Sequence, residues 1–202
     1  MFKSGEFVAE YVKQEDGSRV PDTQIQPHGV ELTVDKIFKL RGPCILRDDD
    51  YKKATREEAE LVEHGEFVET TDLADHRRAR IRKKDESAEP SSSVSKNDRS
   101  EFEVQVPHYT LITGPYVVRY NEKISIPDNA VGFVLPRSRL IRNNNYLTTA
   151  VWDSGYKGRG EGGLHINTLT FLEKGMRIGQ ILMANARVME QYDGSRQREN
   201  IE

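Results

Sequence analysis

The chain is short of several things, and each shortage removes a class of function. Its 202 residues include one cysteine, Cys44. A single thiol forms no internal disulfide and cannot build a thiolate-rich zinc cluster, which excludes the zinc-dependent cytidine deaminases and their Cys-x-x-Cys pair. Cys44 itself reads as a small buried hydrophobe. No run of about 18 apolar residues is present, so no bilayer span is predicted. The opening Met-Phe-Lys-Ser-Gly-Glu lacks the apolar core of a signal segment, which predicts a cytoplasmic protein. Positive charge is not in excess: the formal net charge is −3 and the pI about 6.0, which argues against a nucleic-acid partner. Neither a Gly-rich phosphate loop nor a dinucleotide fingerprint occurs.

What is present reads as one domain, 1–202, with a charged insertion at 47–100. In "IQPHGVELTVDKIFKL", Val30, Leu32 and Val34 alternate with Glu31, Thr33 and Asp35, the period of a half-buried strand. Pro27 and Gly29 supply a turn ahead of it. From 101 onward, "FEVQV", "YTLIT", "YVVRYN", "KISI" and "AVGFVL" are short β-branched and aromatic runs. Pro107, Gly114-Pro115, Asn121 and Pro127-Asp128 separate them. "RIGQILMANARVM" reads as a further strand pair. The prediction is an all-β sandwich or jelly roll rather than a βαβ fold.

The insertion has another texture. About half of residues 47–100 are charged, and "AEPSSSVSKNDRS" is linker-like. We expect it to be partly disordered, with "TREEAELVEH" forming a short helix. "DHRRARIRKK", 75–84, is read as a solvated basic stretch answering the acidic one nearby, rather than as a nucleic-acid patch.

The densest chemistry lies in "LPRSRLIRNNNYLTTAVWDSGYKG", 135–158. Guanidinium forks at Arg137 and Arg142, with the Ser138 hydroxyl between them, suit phosphate oxygens. The same arginines can equally face water. Asp153 sits between an apolar Val-Trp pair and a Ser-Gly turn, where a carboxylate can orient water for in-line attack on phosphorus. Tyr156 can stack on a sugar. A turn-capping aspartate and a core-edge tyrosine are the plainer readings, and the residues alone leave both open.

The run resembles the dUTPase and dCTP-deaminase superfamily, nearest to its archaeal-type dUTPases. Those carry Pro-Arg-Ser-x-Leu-x-Arg-Asn, here Pro136 to Asn143, and Thr-Ala-x-Trp-Asp-x-Gly-Tyr-x-Gly-Arg-Gly-Glu, here Thr149 to Glu161. "QPHGVELTV" and "EKGMRIGQIL" are similar to two further motifs, and the resemblance extends over 24–46 and 101–200. It implies a dUTPase-like distorted jelly-roll barrel or sandwich, assembled as a homotrimer with sites at subunit boundaries. It implies Mg²⁺-dependent hydrolysis of dUTP to dUMP and pyrophosphate. In that scheme Asp153 aims a water at the α-phosphorus, while Arg137, Ser138, Arg142, Gln180 and Gln197 bind the phosphates. Tyr156 packs on deoxyribose. Thr149 and Ala150 belong to the hairpin 144–150 that reads uracil, and Tyr192 belongs to the closing tail. Glu31 stands where the family holds magnesium through water. Arg177 more often has a structural ion-pair role. Arg139, Arg196 and Arg198 depart from the pattern.

Two alternatives stay open. A dCTP deaminase, or a bifunctional enzyme, needs a glutamate where this chain has His165 or Leu164. Glu161, four residues earlier, would lie about 13 Å away along an extended strand and would need a bulge to substitute. The second alternative is a nucleotide-binding regulatory protein with weakened catalysis, motivated by the altered tail and the insertion.

Overall fold

The computed structural model describes residues 1–46, 51–52, 54–62, 66–70, 80–83, 100–104, 106–187 and 192–201. The alternating segment at Val30 is the spine of the molecule. It runs as β1, Gly29–Arg41, with Val30, Leu32, Val34 and Ile37 fully buried. One edge of β1 pairs with β5, Gly114–Tyr120. The opposite edge is shared. β10, Arg177–Asn185, takes its first part, and β2, Thr55–Glu58, takes Phe38 to Arg41.

Beyond β10 lies β6, Ala130–Pro136, and beyond β5 lie β8, Glu161–Ile166, then β7, Tyr146–Thr148. All these pairings are antiparallel. The sheet therefore reads β6-β10-β1-β5-β8-β7, and its inward residues make the core, among them Val118, Tyr120, Leu164, Ile166, Ile181 and Met183. A second sheet sets β4, His108–Leu111, between β3, Leu61–Val62, and β9, Thr170–Glu173. Short strands at Val12–Lys13, Lys123–Ser125 and Lys157–Gly158 form a third.

Helices are short. α1, Gly5–Tyr11, is capped by Ser4, whose hydroxyl accepts from the Phe7 N–H, and it buries Val8 and Ala9. α2, Ser138–Arg142, follows β6 directly. A buried carboxylate, Glu122, joins three segments by accepting from Gln24 Nε2, the Thr33 N–H and the Thr33 hydroxyl. Burial still dominates and holds its pKa above the usual value.

Three sequence expectations are corrected. The helix expected in "TREEAELVEH" is absent from its described part, because 55–58 and 61–62 are strands. The free edge of β1 gives these backbone groups partners, and Arg41–Glu57 at 2.8 Å and Lys36–Glu58 at 3.1 Å pair across it. Tertiary pairing outweighs the local helix preference of Glu and Ala. "RIGQILMANARVM" is not a strand pair over its described residues: Arg177–Asn185 is one strand, needed at full length to serve both β6 and β1. Cys44 is exposed, on the connection that leaves β1 after Gly42-Pro43. Within the charged segment, 66–70 pairs with both 80–83 and 100–104. Residues 75–79, 84 and most of the linker-like run lie outside the described residues.

Candidate active site

Asp153 is presented by a loop whose backbone is tied on both sides. Trp152 bridges to Gly132 of β6, its N–H donating at 3.0 Å and its carbonyl accepting at 2.8 Å. The indole lies against Gly160, where any β-carbon would collide with the ring. On the other side the Ser154 hydroxyl donates to the Ala130 carbonyl, and the Gly155 N–H donates to Ile126 at 2.9 Å. Gly155 has φ +83°, the left-handed conformation that glycine adopts without strain. The Tyr156 N–H closes the turn on the Asp153 carbonyl at 3.2 Å. The Asp153 side chain is left exposed on an anchored turn.

A pocket opens beside it. Ala150, Val151, Trp152, Asp153 and Tyr156 contribute from the loop, Glu161 from β8, and Tyr192, Arg196 and Glu199 from the C-terminal tail. Tyr156 is buried, with its ring edge-on to Trp152 at 5.2 Å and to Tyr192 at 5.9 Å. Its hydroxyl donates to Glu199 Oε1 at 3.0 Å. Burial first, then the Glu199 charge, push the phenol pKa far up, so the group remains a donor.

The tail folds along its own chain. The Tyr192 N–H donates to the Ser154 carbonyl at 2.8 Å, and Arg198 N–H to Lys157 at 2.7 Å. Gln197, expected on phosphate, instead accepts from the Lys157 N–H at 2.8 Å and donates to the Gly155 carbonyl at 3.0 Å. Glu199 takes Arg196 at 3.2 Å as well as Tyr156. Sequence reasoning missed Glu199. The available signal was a lone acid set among cations in "SRQREN".

A second group gathers where β6 runs into α2. Ser138, Arg139 and Arg142 are exposed. Gln180 is half-buried in β10, directly across from Leu135 of β6 and Glu31 of β1. Glu31 is 4% exposed, and each of its oxygens meets a guanidinium: Arg137 Nε at 2.7 Å and Arg177 Nη1 at 2.8 Å. Arg177 has the structural ion pair that its sequence position suggested. Arg137, Ser138, Arg142 and Gln180 are not among the residues lining the Asp153 pocket.

Between the two groups, Asn144 at φ +56° turns the chain from α2 into β7. Asn145 is buried, donating to the Thr170 hydroxyl at 2.9 Å and accepting from the Asn167 N–H at 3.0 Å. The Thr149 hydroxyl donates to the Val134 carbonyl at 2.9 Å. Ala150 is exposed at the pocket.

Glu31 does not fit a magnesium role. It is buried with both oxygens engaged by cations, and it is not a free hard ligand for a hydrated ion. No group of three or more His, Cys, Asp or Glu side chains converges among the described residues. His165 is exposed on β8, and the β8–β5 register runs unbroken from Glu161 to Ile166. The bulge that would carry Glu161 toward His165 is therefore absent. Glu161 is instead held by Arg56 at 2.7 Å and Arg119 at 3.3 Å. Chemically, one group offers a carboxylate beside an aromatic-walled pocket, and the other offers guanidinium, hydroxyl and amide donors suited to anionic oxygens.

Comparison with known proteins supplies the lineage. The probable deoxyuridine 5'-triphosphate nucleotidohydrolase of Halobacterium salinarum is 33% identical over 98% of this chain and 95% of its own. That of Methanosarcina mazei is 32% identical over 89% and 84%. The deoxyuridine 5'-triphosphate nucleotidohydrolase of Methanocaldococcus jannaschii is 28% identical over 86% of each. Among solved structures, the 2'-deoxycytidine 5'-triphosphate deaminase from Agrobacterium tumefaciens superposes with a TM-score of 0.51 at 16% identity. That match covers 90% of this chain and 48% of the other, so the chain spans about half its length and the likeness carries the fold alone. The dCTP deaminase-like family pattern matches residues 45–186. By that match, and by full-length identity to its relatives, this chain belongs to the dCTP deaminase-like family and has its all-β dUTPase-like fold.

Proposed function

We propose that the protein is a dUTP diphosphatase, hydrolysing dUTP to dUMP and pyrophosphate and so keeping uracil out of DNA. The observation that carries the reading is Asp153, an exposed carboxylate on a turn anchored to β6, at the mouth of a pocket walled by Tyr156 and Trp152. A carboxylate so held can orient a water and take its proton as the water attacks phosphorus in line. Tyr156 gives the sugar an aromatic wall with a fixed hydroxyl, and the backbone around Thr149 and Ala150 is at hand for the base.

Within one chain that pocket has Arg196 of the tail, held by Glu199, but not Arg137, Ser138, Arg142 or Gln180. Ser138 and Arg142 are exposed elsewhere, beside Leu135 and Ile141, two large apolar side chains that are 53% and 51% exposed. A second copy packed over that apolar rim would bring its phosphate donors to this copy's Asp153. This supports a homotrimer with composite sites, the usual closed answer to a repeated head-to-tail contact. Magnesium enters as part of the substrate, chelated by the triphosphate, which keeps most of the ion's ligands as water and phosphate oxygen. The chain's own residues then orient, bind and accept a proton.

The match to the dCTP deaminase-like family pattern keeps deamination of dCTP as a second reading. One assay separates the two. The full-length protein is given dUTP, dCTP, dTTP and dATP with MgCl₂, and pyrophosphate and ammonia are scored independently. Pyrophosphate from dUTP alone is expected. Ammonia from dCTP would move the chemistry to the second reading, and tight binding without either product would make the protein a nucleotide sensor.

A further inference from the structure

The Glu31 cluster has a geometry that its sequence motif does not suggest. Arg177 is the fixed side: its Nη1 donates both to the Thr23 carbonyl at 2.7 Å and to Glu31 Oε2 at 2.8 Å. Arg137 is the working side. Its backbone N–H donates to the Ile178 carbonyl of β10 at 3.1 Å, and its side chain meets Glu31 Oε1 through Nε at 2.7 Å. Both ends of Arg137 are therefore held, one by the sheet and one by the carboxylate. The charges do not cancel. Two guanidinium groups against one carboxylate leave a net positive charge beside Gln180, the cross-strand neighbour of Glu31.

We propose that Glu31 is a positioning residue, holding the Arg137 guanidinium oriented for a substrate phosphate without the help of a metal. The proposal rests on the dUTP reading of the site. A free arginine loses much of its rotamer freedom when it grips a phosphate, whereas one already held loses little, so the clamp raises affinity by preorganisation. Glutamate suits this task because its extra methylene lets one carboxylate reach arginines from two different segments. A shorter aspartate from the same strand would fall back from one or both.

The probe is the α,β-imido analogue of dUTP, which resists hydrolysis, bound to the full-length protein and followed by calorimetry in MgCl₂ and separately in EDTA. Glu31→Gln should weaken binding by about tenfold, the order of one charge-assisted contact, and by the same factor in both buffers. Combined with Arg137→Gln it should add nothing to the loss from Arg137→Gln alone, because Glu31 acts through that side chain. A loss confined to the magnesium buffer, no loss at all, or losses that multiply in the double variant would each overturn the assignment. Should Glu31→Gln fail to fold, Glu31→Asp keeps the charge and shortens the arm. Metal-independent weakening is then expected, and wild-type affinity would overturn the clamp. A wild-type protein that does not bind the analogue in either buffer overturns the dUTP reading first, a result distinct from all of these.

Discussion

The Tyr156 hydroxyl and Glu199 Oε1 lie 3.0 Å apart, joining a residue of the Asp153 turn to one 43 positions later in the tail. This bond carries the tail's edge of the pocket. Tyr156→Phe keeps the ring and removes the donor. The expected result is a tail that opens more often, by about fivefold for a loss near 1 kcal/mol. Tryptic cleavage after Arg196 and Arg198 should accelerate by that factor, with the melting temperature little changed. Equal cleavage rates would show that the backbone contacts of Tyr192 and Arg198 hold the tail unaided.

Asp153 carries the chemistry in the proposed reaction. Asp153→Asn preserves size and leaves the anchored turn untouched, since the turn is made by backbone groups and by Ser154. The expected outcome is a kcat lower by roughly 10³-fold with KM nearly unchanged, the range removed with a general base. Steady-state pyrophosphate release checks it, and turnover near the wild-type rate would place the base elsewhere.

Composite sites make a quantitative prediction. Asp153→Asn and Arg142→Ala are each expected to be nearly inactive. In randomly mixed trimers, one site in about four pairs an intact Asp153 from one copy with an intact Arg142 from its neighbour. Unfolding and refolding the two variants together should recover about a quarter of wild-type activity. No recovery would mean that one chain builds the whole site.

Alkaline pH tests the core around the site. Tyr109, Tyr116, Tyr120 and Tyr156 are all buried, and burial is the first cause holding each phenol above its ordinary 10.0. Above pH 10 the unfolded chain loses these protons while the folded chain keeps them. The unfolded state then binds fewer protons, and stability falls as pH rises. The stabilising contribution is complete below the unfolded pKa. Denaturation at pH 8, 10 and 11 should show the decline, and the ultraviolet phenolate signal of these four should rise at higher pH in the folded protein than in the unfolded chain.

Gly160 tests the setting of Asp153 from behind. A methyl group there would strike the Trp152 ring. Gly160→Ala should cost about 1–3 kcal/mol, the usual penalty of overpacking. Activity should fall with it, because Trp152 precedes Asp153 on the bridge to Gly132.

How much of this was legible beforehand depended on whether the signal was local. The inward face of β1 was readable from Val30, Leu32 and Val34, because alternation needs no knowledge of the partner strand. The short strands from 108 to 136 announced themselves through turn residues. The 55–58 strand did not, since its reason to extend is the vacant edge of β1, whose paired residues Phe38 to Arg41 lie outside the local window that propensity reads. At the site, the motif located Asp153 and Tyr156, yet Glu31 and Gln197 have different partners from those their positions implied. Each is held by groups distant in sequence, Glu31 by Arg137 and Arg177, Gln197 by Gly155 and Lys157.

The shared outer edge of β1 has a consequence for the molecule in the cell. Where β10 stops, Thr55–Glu58 takes over the ladder from Phe38 to Arg41. Without it, a row of amide and carbonyl groups on the longest strand of the fold would stand open to any passing chain, the arrangement from which uncontrolled fibril-like stacking begins. The 55–58 part of the charged segment thus serves as a stopper on this extended seam of the barrel. If the stopper briefly lifts, the edge it uncovers carries Lys36, Lys39 and Arg41, cations that a second copy of the same edge would meet with like charge.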